Sequence, residues 1–422
     1  MLPAIVHGSS YNKKSVQKTQ ALLNTPTKPI NADELEASLY RSMYTFLIIS
    51  EICICRPYGA HQHKPTNSRC DQLLLLLQLI WSILIYVILI VAMYSEFTQS
   101  NVDLPTVQKP LYLCEYIFYL LHTFYIIFTS FSCHHRIRRL IRTIAEFDET
   151  LSCSFDNTHS NYNRLTRFLR IHMLFILLYF IVTVIVIYFY CKGEFIPYIR
   201  ALASYVVSNT ILCFSLIQYY TFLYVTSQRA NRLNKILIVE FSQKASSKVL
   251  WQKLQRIRLL YSALQVFTKD VNNLYAPSVV LIYIGSITNF SVNLFLLYKL
   301  LDETNELRLV WIMFSGVWSC LHIAKMFLII YYNCRVEEQK SNAMLLMNEI
   351  KAQNAEMEES VTHFTMQLAI NTRSNVVCGV AVLDMSFVTS ILVGVTTLFI
   401  FLLQYDITYD ALMQTRIAAN LN

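Results

Sequence analysis

Residues 72–94 read QLLLLLQLIWSILIYVILIVAMY and contain no charged side chain across 23 positions. A helix needs about 20 mostly apolar residues to cross a hydrocarbon core of roughly 30 Å, so this stretch is long enough to span a membrane. Six further stretches meet the same requirement. The predicted spans are residues 72–94, 110–132, 171–190, 201–225, 278–298, 309–332 and 385–405. The sequence therefore predicts an all-α membrane protein with seven transmembrane helices.

The basic residues are distributed unevenly across these spans. Of the 35 Lys and Arg residues, 28 lie in four segments that share one side, six lie on the other side, and Lys325 lies inside a span. Basic residues are retained on the cytoplasmic side of a membrane. We therefore predict a cytoplasmic N-terminus and an extracellular C-terminus. The net charge of +8 then reflects topology rather than nucleic-acid binding.

The remaining segments predict four regions along the chain. We expect a mobile cytosolic arm over residues 1–36, an inner-face segment over 37–71, a seven-helix transmembrane domain over 72–405 and an extracellular tail over 406–422. A short helix is predicted over 38–56, lying at the inner face. We expect no secretory signal, because the apolar run Met1–Val6 is too short. Apolar residues at three-four spacing within 227–275 indicate that spans four and five continue into the cytosol as helices.

Composition and motifs argue against two functional classes. Secondary transporters bind substrate at helices broken by Gly and Pro, and such breaks recur in paired repeats. The chain has only seven Gly, none of its nine Pro lies within a predicted span interior, and no repeat is evident. Phosphate loops, nucleophile elbows and metalloprotease helices are also absent from the sequence. We therefore expect neither a transporter nor an enzyme, and no cofactor.

The last predicted span carries a polar stripe. Its members recur at steps of four and three residues, so they share one helix face: Ser386, Ser390, Val393, Thr397, Ile400 and Gln404. Hydrocarbon satisfies none of the polar groups on such a face, which must contact water or other helices. If copies of this helix surround an axis, the stripe lines a pore, with Ile400 as an apolar constriction and Gln404 as a polar ring near the outer mouth. Alternatively, the stripe provides helix-packing contacts.

Residues 397–405 within this span read TLFIFLLQY. This segment resembles the closing signature of insect gustatory receptors, which is Thr-Tyr, five apolar residues and Gln-Phe. Thr397 and Gln404 match the polar positions of the signature, whereas Leu398 replaces its Tyr and Tyr405 its Phe. The resemblance implies a chemosensory receptor that is itself a ligand-gated, nonselective cation channel. It further implies four subunits around a pore built from the last helix, cytosolic helices that form a central anchor, and an outward-opening ligand pocket in each subunit.

The predicted orientation places a set of aromatic and polar residues in the outer halves of the spans. We expect the ligand pocket to be formed by Tyr112, Glu115, Tyr119, Tyr205, Asn209, Asn293, Trp311, Ser315 and Trp318. Aromatic walls with a few hydrogen-bonding groups suit small organic ligands. Interfacial Tyr and Trp also occur in any membrane protein, which leaves a second explanation for several of them. Glu115 lies about five residues inside a span, which indicates either a solvated cavity or a side chain that reaches the interface.

Other titratable residues are assigned to structure rather than chemistry. His122, His172 and His322 stand alone on apolar helices and are expected to be core residues. Lys325 is expected near the cytoplasmic boundary, where it either pairs with Asp384 or extends to the interface.

The cysteines support neither a disulfide framework nor a metal site. The five residues Cys53, Cys55, His61, His63 and Cys70 lack the usual spacing of a zinc site, so no metal is predicted there. Cys114 and Cys191 both lie near outer helix ends, and whether they pair is left open.

These patterns together favour a plasma-membrane receptor of sensory neurons, opened by a small-molecule tastant. The expected partners are membrane lipid and related receptor subunits in a homomeric or heteromeric tetramer. A G-protein-coupled chemoreceptor is the alternative, but it requires an extracellular N-terminus, which the distribution of Lys and Arg opposes. The ligand class remains open among sweet, bitter, pheromonal and nutrient cues.

Overall fold

The computed structural model is almost entirely helical. It describes residues 31–56, 69–100, 108–155, 162–242, 246–302, 308–350, 354–370, 376–377, 381–382 and 385–421. Residues 1–30 of the predicted arm therefore lie outside the described residues. Within them, seven helical segments are long and apolar enough to cross a membrane, and each contains one predicted span or most of it. The expected all-α, seven-span fold is confirmed.

The structure describes eleven α-helices and one π-helical turn. They are α1 (Ala32–Ile52), α2 (Arg69–Ser100), α3 (Gln108–Ser132), α4 (His134–Ser154), α5 (Asn163–Tyr190), α6 (Phe195–Ala201), a π-helical turn (Leu202–Val207), α7 (Ser208–Phe241), α8 (Ser247–Asp302), α9 (Arg308–Glu349), α10 (Ala355–Ile370) and α11 (Met385–Leu421). Two short strands, β1 (Val376–Val377) and β2 (Ala381–Val382), pair antiparallel just before α11. The described strands are thus limited to this small hairpin.

Helix α1 is a packed element of the fold. Asn31 caps its N-terminus by accepting a hydrogen bond from the Asp33 backbone N–H at 3.3 Å. Its buried face includes Leu39, Phe46 and Leu47, and the helix packs against α4 and α5. The helix begins at Ala32, so the last five residues assigned to the mobile arm are helical. A local cap and a 3.6-residue apolar period explain this earlier start.

Helices α7, α8 and α9 extend well beyond the length of a bilayer. Helix α8 has 56 residues, or about 84 Å at 1.5 Å per residue, against a hydrocarbon core of roughly 30 Å. Pro277 lies inside α8, directly before the predicted fifth span. The expected helical continuation of spans four and five is confirmed. The extended parts of α7, α8 and α9 pack with α4 and α10 around a second apolar core, which we call the distal bundle. Its fully buried members include Leu151, Leu233, Leu254, Ile257, Ala343, Met347, Phe364 and Leu368.

A buried ion pair lies at the edge of the distal bundle. The Asp148 carboxylate of α4 accepts hydrogen bonds from Arg229 of α7 at 3.2 Å to Nε and 2.6 Å to Nη2. The Tyr162 hydroxyl donates to the same carboxylate at 2.9 Å, and the guanidinium carbon lies 5.4 Å from the centre of the Tyr162 ring. Burial and the neighbouring Asp148 raise the pKa of Tyr162. These contacts join α4, α7 and the start of α5.

The segment after the last predicted span is helical. Residues 406–421, expected as a tail, continue α11 without a break, so this helix runs for 37 residues. Helix α11 packs on α8. Phe295 of α8 is fully buried against Leu402, and Lys299 of α8 forms an ion pair with Asp406. The helical form of residues 406–421 was not predicted, because this segment has weak apolar periodicity of its own.

Candidate functional site

The polar stripe of α11 lies on the face that points away from the rest of the chain. All six members, Ser386, Ser390, Val393, Thr397, Ile400 and Gln404, are exposed within one subunit. Ile391, Val395 and Leu402 are buried on the opposite face of the helix. At 100° per residue, the stripe is centred roughly 150° around the helix from these buried residues.

Contacts with α8 fix this orientation of α11. The Ser291 hydroxyl of α8 donates to the Val395 carbonyl oxygen at 3.4 Å. The rings of Tyr283 and Phe387 meet edge to face, with centroids 4.9 Å apart. Among the described residues of one chain, Ser390, Thr397 and Gln404 therefore lie away from the α8 contact, where water, lipid or a neighbouring subunit can reach them.

The predicted pocket residues that the structure describes form one buried network across five segments. Glu115 and Tyr119 come from α3, Tyr205 from the π-helical turn, Asn209 from α7, Asn293 from α8, and Ser315 and Trp318 from α9. The exposed fraction of each is 8% or less. The side chains of Tyr112 and Trp311 lie outside the described residues. The structure thus brings together seven of the nine predicted residues.

Hydrogen bonds connect these side chains. The Trp318 indole N–H donates to Glu115 Oε1 at 3.4 Å. The Ser315 hydroxyl donates to Asn293 Oδ1 at 3.0 Å, and Asn293 Nδ2 donates to Asn289 Oδ1 at 2.7 Å. Glu115 therefore has polar partners inside the protein, which excludes a side chain that simply reaches the membrane interface.

The aromatic side chains of the network cover one another. The Tyr116 and Tyr205 hydroxyl oxygens are 2.7 Å apart. The Trp318 ring stacks on Phe314 with centroids 5.7 Å apart, and it meets Tyr205 edge to face at 5.2 Å. Phe314 also stacks on Tyr190 at 5.0 Å. Among the described side chains of the network, these aromatic rings therefore lie against one another.

Lys325 is part of the same network, contrary to the prediction. Its exposed fraction is 4%, and its ammonium donates to Asn209 Oδ1 at 2.5 Å. Side chains on a helix lean toward its N-terminus, which in α9 is the predicted outer end. The ammonium therefore points toward the pocket, so the expectation that this side chain extends to the interface was wrong. Asp384, the proposed partner, lies outside the described residues.

The burial of Lys325 has a signal in the sequence of α9. Ser315, Trp318, His322 and Lys325 follow each other at steps of three, four and three, which places them on one face of α9. His322 bridges the network, since its Nε2 lies 3.2 Å from the Tyr119 hydroxyl and its Nδ1 lies 3.0 Å from the Ser286 hydroxyl. A polar face on an apolar span indicates burial against other helices.

His122, His172 and His322 are hydrogen-bonded within the helix bundle, as expected. His122 Nε2 lies 2.6 Å from the Ser278 hydroxyl. His172 is within 2.9 Å of the Phe168 carbonyl oxygen and 3.2 Å of the Tyr332 hydroxyl.

The structure describes only part of the predicted cysteine and histidine cluster. His61, His63 and the Cys70 side chain lie outside the described residues. Cys53 and Cys55 are described, and both are free thiols. Burial raises the pKa of Cys53 to about 11. Cys114 and Cys191 are also free thiols, and burial raises the pKa of Cys191 to about 11.

A small cavity lies between Glu115 and Lys325. Its volume is about 20 Å³, which is enough for one water molecule. Lys325 and Glu115 both line it but form no ion pair with each other among the described contacts. An organic ligand can therefore enter only if the surrounding helices separate.

Similarity to known proteins covers nearly the whole chain. The sequence pattern of the family described as 7tm chemosensory receptor matches residues 39–409. The chain belongs to this family. It is 28% identical over 411 residues to gustatory receptor 59f of Drosophila melanogaster, covering 96% of this chain and 98% of that relative. It is also 23% identical over 135 residues to gustatory receptor 59e of the same organism, covering 32% of this chain and 34% of that relative. This full-length similarity agrees with the resemblance of the closing signature to insect gustatory receptors.

The fold of the receptor matches a solved insect receptor. It aligns with the olfactory receptor OR5 from Machilis hrabei with a TM-score of 0.55 and 12% sequence identity, covering 87% of this chain and 99% of that one. At this identity the likeness concerns the fold alone. A multi-pass membrane receptor of the chemosensory family is consistent with the seven described spans, and the G-protein-coupled alternative is not favoured.

Proposed function

We propose that the receptor is one subunit of a ligand-gated, nonselective cation channel opened by a small tastant. Four copies, or this chain with related subunits, place α11 around a common axis. The observation that supports this proposal is the exposure of the α11 stripe on the face opposite its contact with α8. Hydrocarbon cannot form hydrogen bonds with the Gln404 amide, whereas water in a pore can.

The stripe contains both an apolar and a polar ring. Ile400 is 46% exposed within one subunit, and four such side chains around an axis make an apolar constriction that closes by dewetting. Gln404 lies one turn nearer the predicted outer end and provides a polar ring. Thr397 and Ser390 continue the stripe in the opposite direction.

Helix α8 provides a physical link between the pocket and the pore. Asn289 and Asn293 belong to the hydrogen-bonded network, whereas Ser291 and Phe295 of the same helix contact α11. A ligand that replaces contacts of the two Asn side chains therefore acts on the helix that holds α11. If the ligand binds more tightly when α8 and α11 are displaced, it shifts the population toward the open pore.

Orientation and location follow the same proposal. The N-terminus lies in the cytoplasm, the C-terminal helix ends outside, and the receptor resides in the plasma membrane of sensory neurons. The distal bundle then forms the cytosolic anchor of the assembly. Epitope tags at Met1 and Asn422, probed with and without permeabilisation, should report an inside start and an outside end. A surface-exposed Met1 would contradict this orientation.

The channel proposal is tested by currents from the receptor expressed in cells that lack G-protein signalling. A tastant panel read by calcium imaging first identifies an agonist. Agonist-evoked cation currents should persist without G proteins, and Gln404→Ala should change ion selectivity or conductance. A receptor whose responses vanish with the G proteins, or whose permeation is unchanged by Gln404→Ala, would refute the proposed pore.

Neighbouring threonines give a matched control for the stripe. Thr396 and Thr397 are both exposed on α11, but only Thr397 belongs to the stripe. Thr397→Val should reduce single-channel conductance, because it removes a hydroxyl from the water-filled path. Thr396→Val carries the same chemical change and should leave conductance unaltered. Equal effects of the two variants would mean that the stripe does not face the pore.

A further inference from the structure

A second cleft lies between α5, α7 and α9, apart from the polar network. Its volume is about 570 Å³, which falls within the range typical of small-molecule sites. The walls are almost wholly apolar. The lining includes Phe175, Ile176, Leu216, Ile217, Leu321 and Leu328. Nothing in the proposed gating mechanism uses this space.

The cleft opens sideways, toward the position of lipid chains. Phe175 and Phe327 lie at its rim and are 67% and 55% exposed, and Ala324 is also exposed. In the predicted orientation these residues belong to the inner halves of their spans. A molecule dissolved in the bilayer can therefore enter the cleft without passing through the outer pocket.

The cleft also has a polar spot. Lys325 lines both this cleft and the small polar cavity, and Cys213 lies in the same wall of the cleft. Tyr179 also lines the cleft, and its buried hydroxyl, which has Thr183 as a neighbour, makes no well-aligned hydrogen bond to another described group. A buried hydroxyl without a well-aligned acceptor is destabilising, so this wall favours a hydrogen-bond acceptor.

We propose that this cleft binds a free fatty acid that enters from the bilayer, with its carboxylate at Lys325 and Tyr179 and its alkyl chain along the apolar walls. The ammonium supplies the charge that complements a carboxylate, and the hydroxyl supplies a second donor. The walls supply the apolar area that the chain buries.

The position of Lys325 favours a free fatty acid over a phospholipid. Lys325 lies seven residues from Tyr332, the predicted inner end of its span, which is about 10 Å along the helix. A phospholipid phosphate stays at the headgroup level, so it does not reach this depth. The carboxylate of a single-chain acid does, because no second chain or headgroup restrains it.

The binding test uses the purified full chain in lipid nanodiscs and does not require channel activity. The probe is a 16-carbon fatty acid that carries a photoreactive diazirine and a terminal alkyne. We expect mass spectrometry to locate cross-links on the α5 and α9 segments that line the cleft. Palmitate should compete with labelling, whereas methyl palmitate, which lacks the carboxylate, should not. Labelling that neither compound displaces indicates ordinary lipid contact and overturns the proposal.

Two pairs of variants identify the site. Ala324→Trp fills the rim of the cleft and should abolish competed labelling, whereas Ile323→Trp places the same ring on the exposed neighbouring position and should retain it. Lys325→Met should weaken palmitate competition by roughly tenfold to a hundredfold, and Tyr179→Phe by roughly twofold to tenfold. Unchanged labelling in Ala324→Trp, or equal competition by acid and ester, would overturn the proposal even if Lys325→Met fails to fold.

The outcome is separate from that of the channel proposal. A receptor that conducts ions but shows no acid-specific labelling retains the proposed function and loses the fatty-acid site. A receptor that is labelled at the cleft but carries no agonist-evoked current gives the reverse result.

Discussion

Replacement of Asp148 by Leu tests how α4 is held to α7 at the edge of the distal bundle. The Asp148 side chain is fully buried and the Arg229 side chain is 9% exposed, and the two share a two-point contact with a shortest N–O distance of 2.6 Å. Removal of the carboxylate leaves the Arg229 guanidinium buried beside Tyr162 without its charged hydrogen-bond partner. Breaking a buried pair in this way costs about 3–5 kcal/mol, because the remaining charge is desolvated without compensation.

The double variant Asp148→Leu/Arg229→Met separates the value of the pair from the cost of an orphaned charge. Removing both charges together is often nearly neutral in a packed interior. Tyr162 then loses its acceptor, at a cost of about 1 kcal/mol. We therefore expect the double variant to be more stable than Asp148→Leu alone by about 2 kcal/mol or more.

Thermal unfolding of the purified receptor, followed by fluorescence-detected size-exclusion chromatography at one fixed heating protocol, measures the difference. Asp148→Leu should lower the apparent melting temperature by roughly 5–15 °C, and the double variant should recover most of this loss. Glu146→Leu on the same helix removes an exposed partner of Arg142 and should cause no clear shift. A double variant that is as unstable as Asp148→Leu would refute the reasoning.

Three further predictions concern α11 and the distal bundle. Ile400→Asn should produce current without agonist, because a polar ring wets the constriction; unchanged resting current in patch recordings would contradict this. Phe295→Ala should remove the packing of Leu402 on α8 and cost about 3–5 kcal/mol in thermal unfolding, which a change below 1 kcal/mol would exclude. Tyr261→Phe should cost about 1 kcal/mol by deleting the hydrogen bond to Asn234, and a neutral result would show that this bond adds nothing net.

The buried hydrogen-bonded network around Glu115 could be predicted only in part from the sequence. Polar and aromatic residues on apolar spans predicted that Glu115 and Trp318 belong to one pocket, because such groups are costly in hydrocarbon. The structure brings the two side chains together as hydrogen-bond partners. The role of Lys325 was missed, since its position near the inner end of a span suggested the interface. Its ammonium reaches Asn209 only because α7 lies beside α9 in the packed bundle.

The sequence by itself determined the seven spans and indicated the family, since hydropathy and the closing signature are local properties of the chain. Only the tertiary structure decided which helix faces meet. Glu115 and Trp318 are 203 positions apart and become partners because α3 and α9 both pack against α7 and α8. Likewise, the periodicity of α11 predicted a polar stripe, but contact with α8 decided that this stripe faces away from the subunit. Such pairings depend on complementary packing between distant segments, which no single helix pattern contains.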